Sequence, residues 1–433
     1  MARVVVVGGG FGGLAAAARL AKLGHDVRLL ERLDTLGGAV SSVERDGFAW
    51  DAGPTWTLLP AVLRDLFRKS GRPLERELEL VPQEVVRGHR FADGTAIDLP
   101  GGSRAAQLAA VDVLGEGLGE QWCAYVSGFA DEWDTVRRHY LERPWRPGLT
   151  DKAVTATLFT RESLARRVRK GLGDDRLRQV ATHPFTLDGH AARDVPAWLG
   201  TTAYLEQNFG AWTVPGGMAR LSGALTERLA TRRVAVSTGT AVTDLVLRDG
   251  RAVAVRTSAG DVDADLVVCA VDPRLLPALS PYVRRTTPAI PPVVCHLGLA
   301  GDVPDLPPET VFHGDPTLVL RTGGRAPDGG HAWTLLGRGL LAEDVVTALA
   351  RRGVDVRRQV EVRVDRSPRD QVEHWNGSPL GVLWQGRNTL TRRLGPRTPL
   401  PNVYACGAHA TPGSGLPFVG LSAALVAQEV GPA

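Results

Sequence analysis

The chain has 433 residues, 43% hydrophobic and 23% charged, which is ordinary globular composition with room for two or three domains and a sizeable core. A formal charge of +4 is too mild at this length to call for nucleic acid; the basic residues are nearly all Arg, with Lys only at Lys22, Lys69, Lys152 and Lys170. Four Cys without a C-x-x-C pair point to reduced, mostly buried thiols rather than disulfides or metal, and no uncharged run of about 20 apolar residues is present to span a bilayer.

In chain order, Val4 to Val7 is a β-branched run of the kind buried on both faces of a parallel sheet. Leu14 to Leu23 has helical spacing and ends at Gly24, and Val27 to Leu30 is the next strand, so the chain opens on a β-α-β unit. Ser103 to about Gln207 is rich in Trp, Arg and Leu at helical spacing and is expected to be mostly helical. Val234 to Val268 reads as short strands, with Asp249-Gly250 as a hairpin turn. Further strands are expected near Val293–Leu299, Thr317–Leu320, Trp333–Leu336, Gln359–Val364 and Asn402–Cys406, and a last apolar helix over Val419–Val430.

The glycines after the first strand read Gly8-x-Gly10-x-x-Gly13, with Gly9, Phe11 and Gly12 between them. The first glycine permits the tight turn, the second lets a pyrophosphate approach the backbone, and the third lets helix and strand pack closely. The helix start then offers free N–H groups to phosphate. Glu31 closes the second strand, where a carboxylate accepts hydrogen bonds from ribose hydroxyls and repels a 2′-phosphate, which argues against NADP. Gly37-Gly38 follows, then Asp51-Ala52-Gly53-Pro54-Thr55. Near the other end, Gly407 to Pro417 joins a strand to the last helix, and Pro417 suits a first helical turn. That helix start would stabilise negative charge on a flavin ring.

Taken together, VVGGGFGGLAAAARLAKLGHDVRLLER, LGGAVSSVERDGFAWDAGPT, WTVPGGMARLSGALTERLA and NVYACGAHATPGSGLPFVGLSAALVAQ resemble the FAD-dependent amine oxidase-like superfamily, and within it the bacterial phytoene (carotenoid) desaturases. DDRLRQVATHPFTLDG is similar to that family's middle region. The resemblance implies an α/β fold: a Rossmann-type FAD-binding domain made of residues 1–100, 208–272 and 396–433, with an inserted α+β substrate domain over 103–205 and 275–395. It implies that Gly8, Gly10, Phe11, Gly12, Gly13, Glu31, Arg32, Gly37 and Gly38 meet the ADP half of FAD. The backbone at Val242 would meet adenine, and Asp51, Gly53, Pro54, Thr55, Gly407, Gly415, Leu416 and Pro417 would surround the flavin end. Two positions depart from the family pattern: Ala39 stands where Arg is usual after the glycine pair, and Thr411 precedes the Pro where His is usual. The chain is also shorter than typical members.

The implied activity is dehydrogenation of a long apolar isoprenoid, in which the flavin carries the redox step and the protein aligns the substrate. No conspicuous acid–base constellation is needed for this and none stands out. His409 is the best-placed titratable residue, with His183 and His190 behind it, and no metal site is expected. The same cofactor motifs also fit an amine oxidase acting on a polar small molecule, a redox-neutral carotenoid isomerase or saturase, or a flavin-free binding protein like the Rab GDP dissociation inhibitors. Arg161, Arg166, Arg167, Arg169 and Lys170 interleave with Leu164, Val168 and Leu172. That pattern fits either a basic helix lying on a membrane or, preferably, a solvated face over a core stripe. The expected location is the cytoplasm, with peripheral attachment to the inner membrane face left open; oligomeric state is not legible.

Overall fold

The computed structural model describes residues 1–146 and 151–433. The run Val4–Val7 forms the middle of a five-stranded sheet. Strand order is Val403–Ala405, Leu266–Cys269, Arg3–Val7, Asp26–Leu30 and Ala235–Ser237, all parallel. Four valines in succession suit this position because both faces of the central strand are covered, and all four are buried. One face carries the helix Phe11–Lys22, which packs on Leu416–Val430, Arg220–Thr231 and Pro60–Ser70. The other face packs on a three-stranded antiparallel ribbon, Val242–Arg248, Arg251–Thr257 and Gly260–Asp263, through Leu245, Ala252 and Val255. Asp249 and Gly250, at φ 51° and 74°, form its left-handed two-residue turn, as the Asp-Gly signal implies.

A second sheet has seven strands in the order Val360–Arg366, Val293–Ala300, Gly330–Arg338, Thr317–Arg321, Glu309–Phe312, Val85–Arg90 and Ala96–Pro100. All neighbours are antiparallel except Glu309–Phe312 with Val85–Arg90. Residues 85–100 therefore belong to this sheet, although the sequence groups them with the first nucleotide-binding piece. Val85–Arg90 and Ala96–Pro100 pair with each other as a local hairpin, but the strand that joins this hairpin to the sheet, Glu309–Phe312, lies more than 200 residues away, so nothing local in the sequence announces the exchange.

The stretch from Arg104 to Phe209 is helical as expected, over Arg104–Asp112, Leu118–Ser127, Ala130–Val136, Lys152–Leu158, Leu164–Gly171, Asp175–Leu187 and Thr201–Phe209; residues 147–150 of it lie outside the described residues. These helices share one core that includes Trp122, Phe129, Tyr140 and Trp198. Leu164, Val168, Leu172, Leu177 and Val180 all point into it, so the basic residues between them form the solvated face of packed helices. Among the described residues, no helix is long and apolar enough to cross a membrane. The four cysteines are buried and unpaired.

Candidate functional site

The first helix begins at Gly10 with no side chain capping it, so its leading N–H groups have no side-chain acceptor. Around them the backbone closes into a cradle that only glycine permits. A Cβ on Gly12 would lie 3.0 Å from the Gly407 Cα, and one on Gly38 would lie 3.0 Å from the Gly10 Cα. Gly37 and Gly38 adopt φ 112° and 58°, and the Gly37 N–H donates to the Gly9 carbonyl at 2.8 Å. Glu31 accepts from the N–H of Gly9 at 2.6 Å and of Leu33 at 2.7 Å. Its carboxylate is thereby fixed beside the cradle, and each oxygen keeps capacity for a further donor.

The cradle opens into one long cavity. Of the sequence-expected site residues, Gly8, Gly10, Phe11, Gly12, Glu31, Arg32, Gly37, Gly38, Asp51, Gly53, Pro54, Thr55, Gly407, Gly415, Leu416, Pro417 and His409 all lie on its wall. Gly13 does not. It sits behind the wall, where a Cβ would be 1.9 Å from the Gly8 carbonyl oxygen, so its part is to let helix meet strand. Val242 is not on the wall either. It packs against the core beneath the sheet, and the neighbouring Thr240 N–H donates to the Glu31 carbonyl instead.

Three wall residues, Asp51, His409 and Arg32, also tie wall segments together. The Asp51 carboxylate accepts from the N–H groups of Met218 at 3.0 Å and Ala219 at 2.9 Å, pinning the segment Trp212–Arg220 to the Asp51–Thr55 turn. Burial raises its pKa and those two bonds hold the rise in check. The His409 Nε2 lies 2.9 Å from the Ser378 carbonyl, to which it donates, its Nδ1 faces Asp272 at 3.6 Å, and burial lowers its pKa against the pull of that carboxylate. His409 thus tethers the wall segment Trp375–Leu380. Arg32 holds the same segment from its other end, through the His374 carbonyl.

The wall also carries aliphatic and aromatic side chains, among them Leu58, Trp133, Val136, Tyr140, Trp198 and Leu205. The same wall carries a buried polar group that sequence reading missed. Glu309 binds the Arg87 Nε and the Arg321 Nε, each at 2.8 Å, and takes the Trp56 indole N–H at 3.3 Å. Arg87 also reaches Glu206 at 3.1 Å, and Arg321 donates to the Gly53 carbonyl at 3.0 Å. Burial alone would raise the Glu309 pKa, but Arg321 and Arg87 bring it down to about 2. Asp188, on the same wall, is pushed up by burial to about 6, a rise that the charges of Arg338 and Arg321 only partly offset. His183 and His190 are on the wall as well, both kept neutral by burial; the His190 Nδ1 accepts the Trp384 N–H at 3.2 Å. The available signal was a charge inside an apolar strand pattern, as in Val85-Val86-Arg87 and Leu318-Val319-Leu320-Arg321.

Residues 11–431 match a family described as flavin containing amine oxidoreductase. A 4,4′-diapolycopene oxygenase of Methylomonas sp is 26% identical, covering 99% of this chain and 98% of that protein. A hydroxyneurosporene desaturase of Cereibacter sphaeroides is 29% identical, covering 99% and 97%. In fold the chain is similar to putrescine oxidase bound to putrescine, with a TM-score of 0.71 over 99% of this chain and 98% of that one at 16% identity.

Proposed function

The chain belongs to the flavin containing amine oxidoreductases, and from that premise we propose that it removes hydrogen from adjacent carbons of a long apolar isoprenoid of the carotenoid type. It is an FAD-dependent oxidoreductase. The cradle fits that cofactor: uncapped helix N–H groups and bare glycine backbone face one another where a pyrophosphate would lie, and Glu31 stands beside them for a ribose. When bound, FAD supplies the two-electron acceptor.

The observation that carries the substrate class is that one cavity is lined both by this cradle and by Leu58, Trp133, Val136, Tyr140, Trp198 and Leu205. Such side chains offer a long hydrocarbon apolar contact and help exclude water. The desaturase named above supports the same reading. The protein's task is then alignment: the apolar side chains fix the hydrocarbon, and Asp51, His409 and Arg32 hold the wall segments that shape the cavity.

A second reading, oxidation of a polar small molecule, is favoured by the Arg87–Glu309–Arg321 group and Asp188 on the same wall. One experiment separates the two. The FAD-loaded protein is mixed anaerobically with solubilised phytoene, and separately with putrescine, while the visible spectrum is followed. Loss of the oxidised flavin band with new polyene absorption is expected for phytoene only. Bleaching by putrescine with none by phytoene would transfer the assignment to amine oxidation.

A further inference from the structure

Four arginines are buried among the described residues: Arg19, Arg87, Arg228 and Arg393. Three of them meet a carboxylate, in Arg19–Asp65, Arg87 with Glu206 and Glu309, and Arg228–Glu77. Arg393 does not. Its Nη1 donates to the Pro412 carbonyl at 2.6 Å and its Nη2 to the Val382 carbonyl at 3.4 Å. The guanidinium lies 4.9 Å over the Trp384 ring, the Tyr140 phenol is its other polar neighbour, and Nε has no partner. Arginine stays protonated at any working pH, and a buried cation without a counter-charge is strongly unfavourable. Carbonyl dipoles and an aromatic face soften that cost without cancelling the charge.

The position of this charge says what would cancel it. A Cβ on Gly413 would stand 2.8 Å from Arg393 Nη1, so the guanidinium packs directly on the loop leading into Leu416–Val430. That helix has 15 residues, starts from Gly415, and has no side-chain cap. Arg393 and Gly413 to Pro417 are all on the cavity wall. A fixed cation and the positive end of a helix thus bear on one stretch of wall, and among the described residues no carboxylate forms an ion pair with Arg393. An isoprenoid hydrocarbon brings no charge. Oxidised FAD has a neutral ring system, but two electrons and one proton delivered to it leave one negative charge on the pyrimidine side.

We infer that Arg393, together with the N-terminus of the last helix, is the electrostatic partner of the negative charge that the flavin ring gains on reduction, and so raises the flavin's reduction potential. The residue acts on the cofactor through its field, favouring electron acceptance without taking part in bond breaking.

The test needs no substrate, so its outcome is independent of whether phytoene is turned over. FAD-loaded wild type, Arg393→Met, Arg393→Gln and Arg393→Lys are titrated with sulfite and with a reductant against reference dyes. Sulfite adds through its sulfur lone pair to the flavin N5, and the resulting negative charge moves to the pyrimidine side, which reports the same field. The neutral variants should bind sulfite at least tenfold more weakly. Their midpoint potential should fall by about 30 mV or more, the two-electron equivalent of tenfold. Arg393→Lys should stay within about threefold of wild type, since it keeps the charge. Arg393→Gln can still donate to the Pro412 carbonyl, so it reports on charge if Arg393→Met fails to fold. Unchanged sulfite affinity and potential in either neutral variant that retains FAD would overturn the inference and assign the charge to an anionic ligand elsewhere in the cavity.

Discussion

The five-stranded parallel sheet and the seven-stranded mixed sheet contribute to one cavity with contrasting materials. The first offers backbone: glycine Cα atoms in near contact, a helix start without a cap, and one carboxylate tied to two N–H groups. The second offers side chains, with one carboxylate, Glu309, neutralising Arg87 and Arg321 from neighbouring strands. A backbone site tolerates almost no substitution, because a single Cβ collides with another main chain. A side-chain site is built from charges whose removal one at a time leaves an orphan behind. The contrast teaches that the two halves fail in different ways: the first by losing its cofactor with the fold intact, the second by losing the fold.

The largest expected effect tests the second half of that statement. Glu309→Leu removes the carboxylate that Arg87 and Arg321 share, leaving buried Arg87 with Glu206 alone and Arg321 with the Gly53 carbonyl, and breaking a buried pair of this kind costs about 3–5 kcal/mol. Chemical denaturation should show a loss of that size, or the protein should fail to accumulate in soluble form. A cost under about 1 kcal/mol would mean that the cations find water or other acceptors and that the network is not structural. Glu31→Arg tests the first half. It places a cation where ribose hydroxyls are expected and removes the acceptor for the Gly9 and Leu33 N–H groups. The purified variant should carry no FAD and should not regain it on reconstitution, while far-ultraviolet circular dichroism stays that of the wild-type fold. A fully flavinylated Glu31→Arg protein would dissolve the contrast, since the cradle would then not depend on that carboxylate.

The same contrast governs what the sequence makes legible. The cradle is written within 31 consecutive residues, where turn chemistry, helix start and strand end occur at fixed spacing, so Gly8 through Glu31 are readable together. The loop Gly407–Pro417 is readable for the same reason. The Arg87–Glu309 pair spans 222 positions and Arg87–Glu206 spans 119, and no local rule joins them. The strands carrying Arg87 and Glu309 are themselves easy to miss: Val85–Arg90 contains a Gly and two Arg, and Glu309 follows Pro307-Pro308. Asp51 and His409 are legible as members of motifs, but their actual partners, Met218, Ala219 and Ser378, come from distant segments, so their roles are not.

The smallest effect sharpens the comparison within the second half, by asking whether its carboxylates all behave as ion-pair partners. Glu309 and Asp188 share the cavity wall, yet cations draw Glu309 down to about 2, while burial lifts Asp188 to about 6. The two should therefore contribute to stability with opposite sign. A carboxylate whose folded pKa lies above its unfolded value near 4 binds its proton more tightly in the native state, so its ionisation lowers stability as pH rises from about 4 to about 6. Asp188→Asn is uncharged at every pH and escapes this loss. Relative to wild type it should be more stable by about 1–2 kcal/mol above pH 6, a figure reduced from the full linkage because the side chain faces the cavity, and the gain should vanish toward pH 4. Denaturation midpoints of the two proteins at pH 4, 6 and 8 give the curve directly. A pH-independent difference would mean that Asp188 titrates normally, and the polar wall would then be ionic throughout, a surface better matched to a charged substrate than to a hydrocarbon.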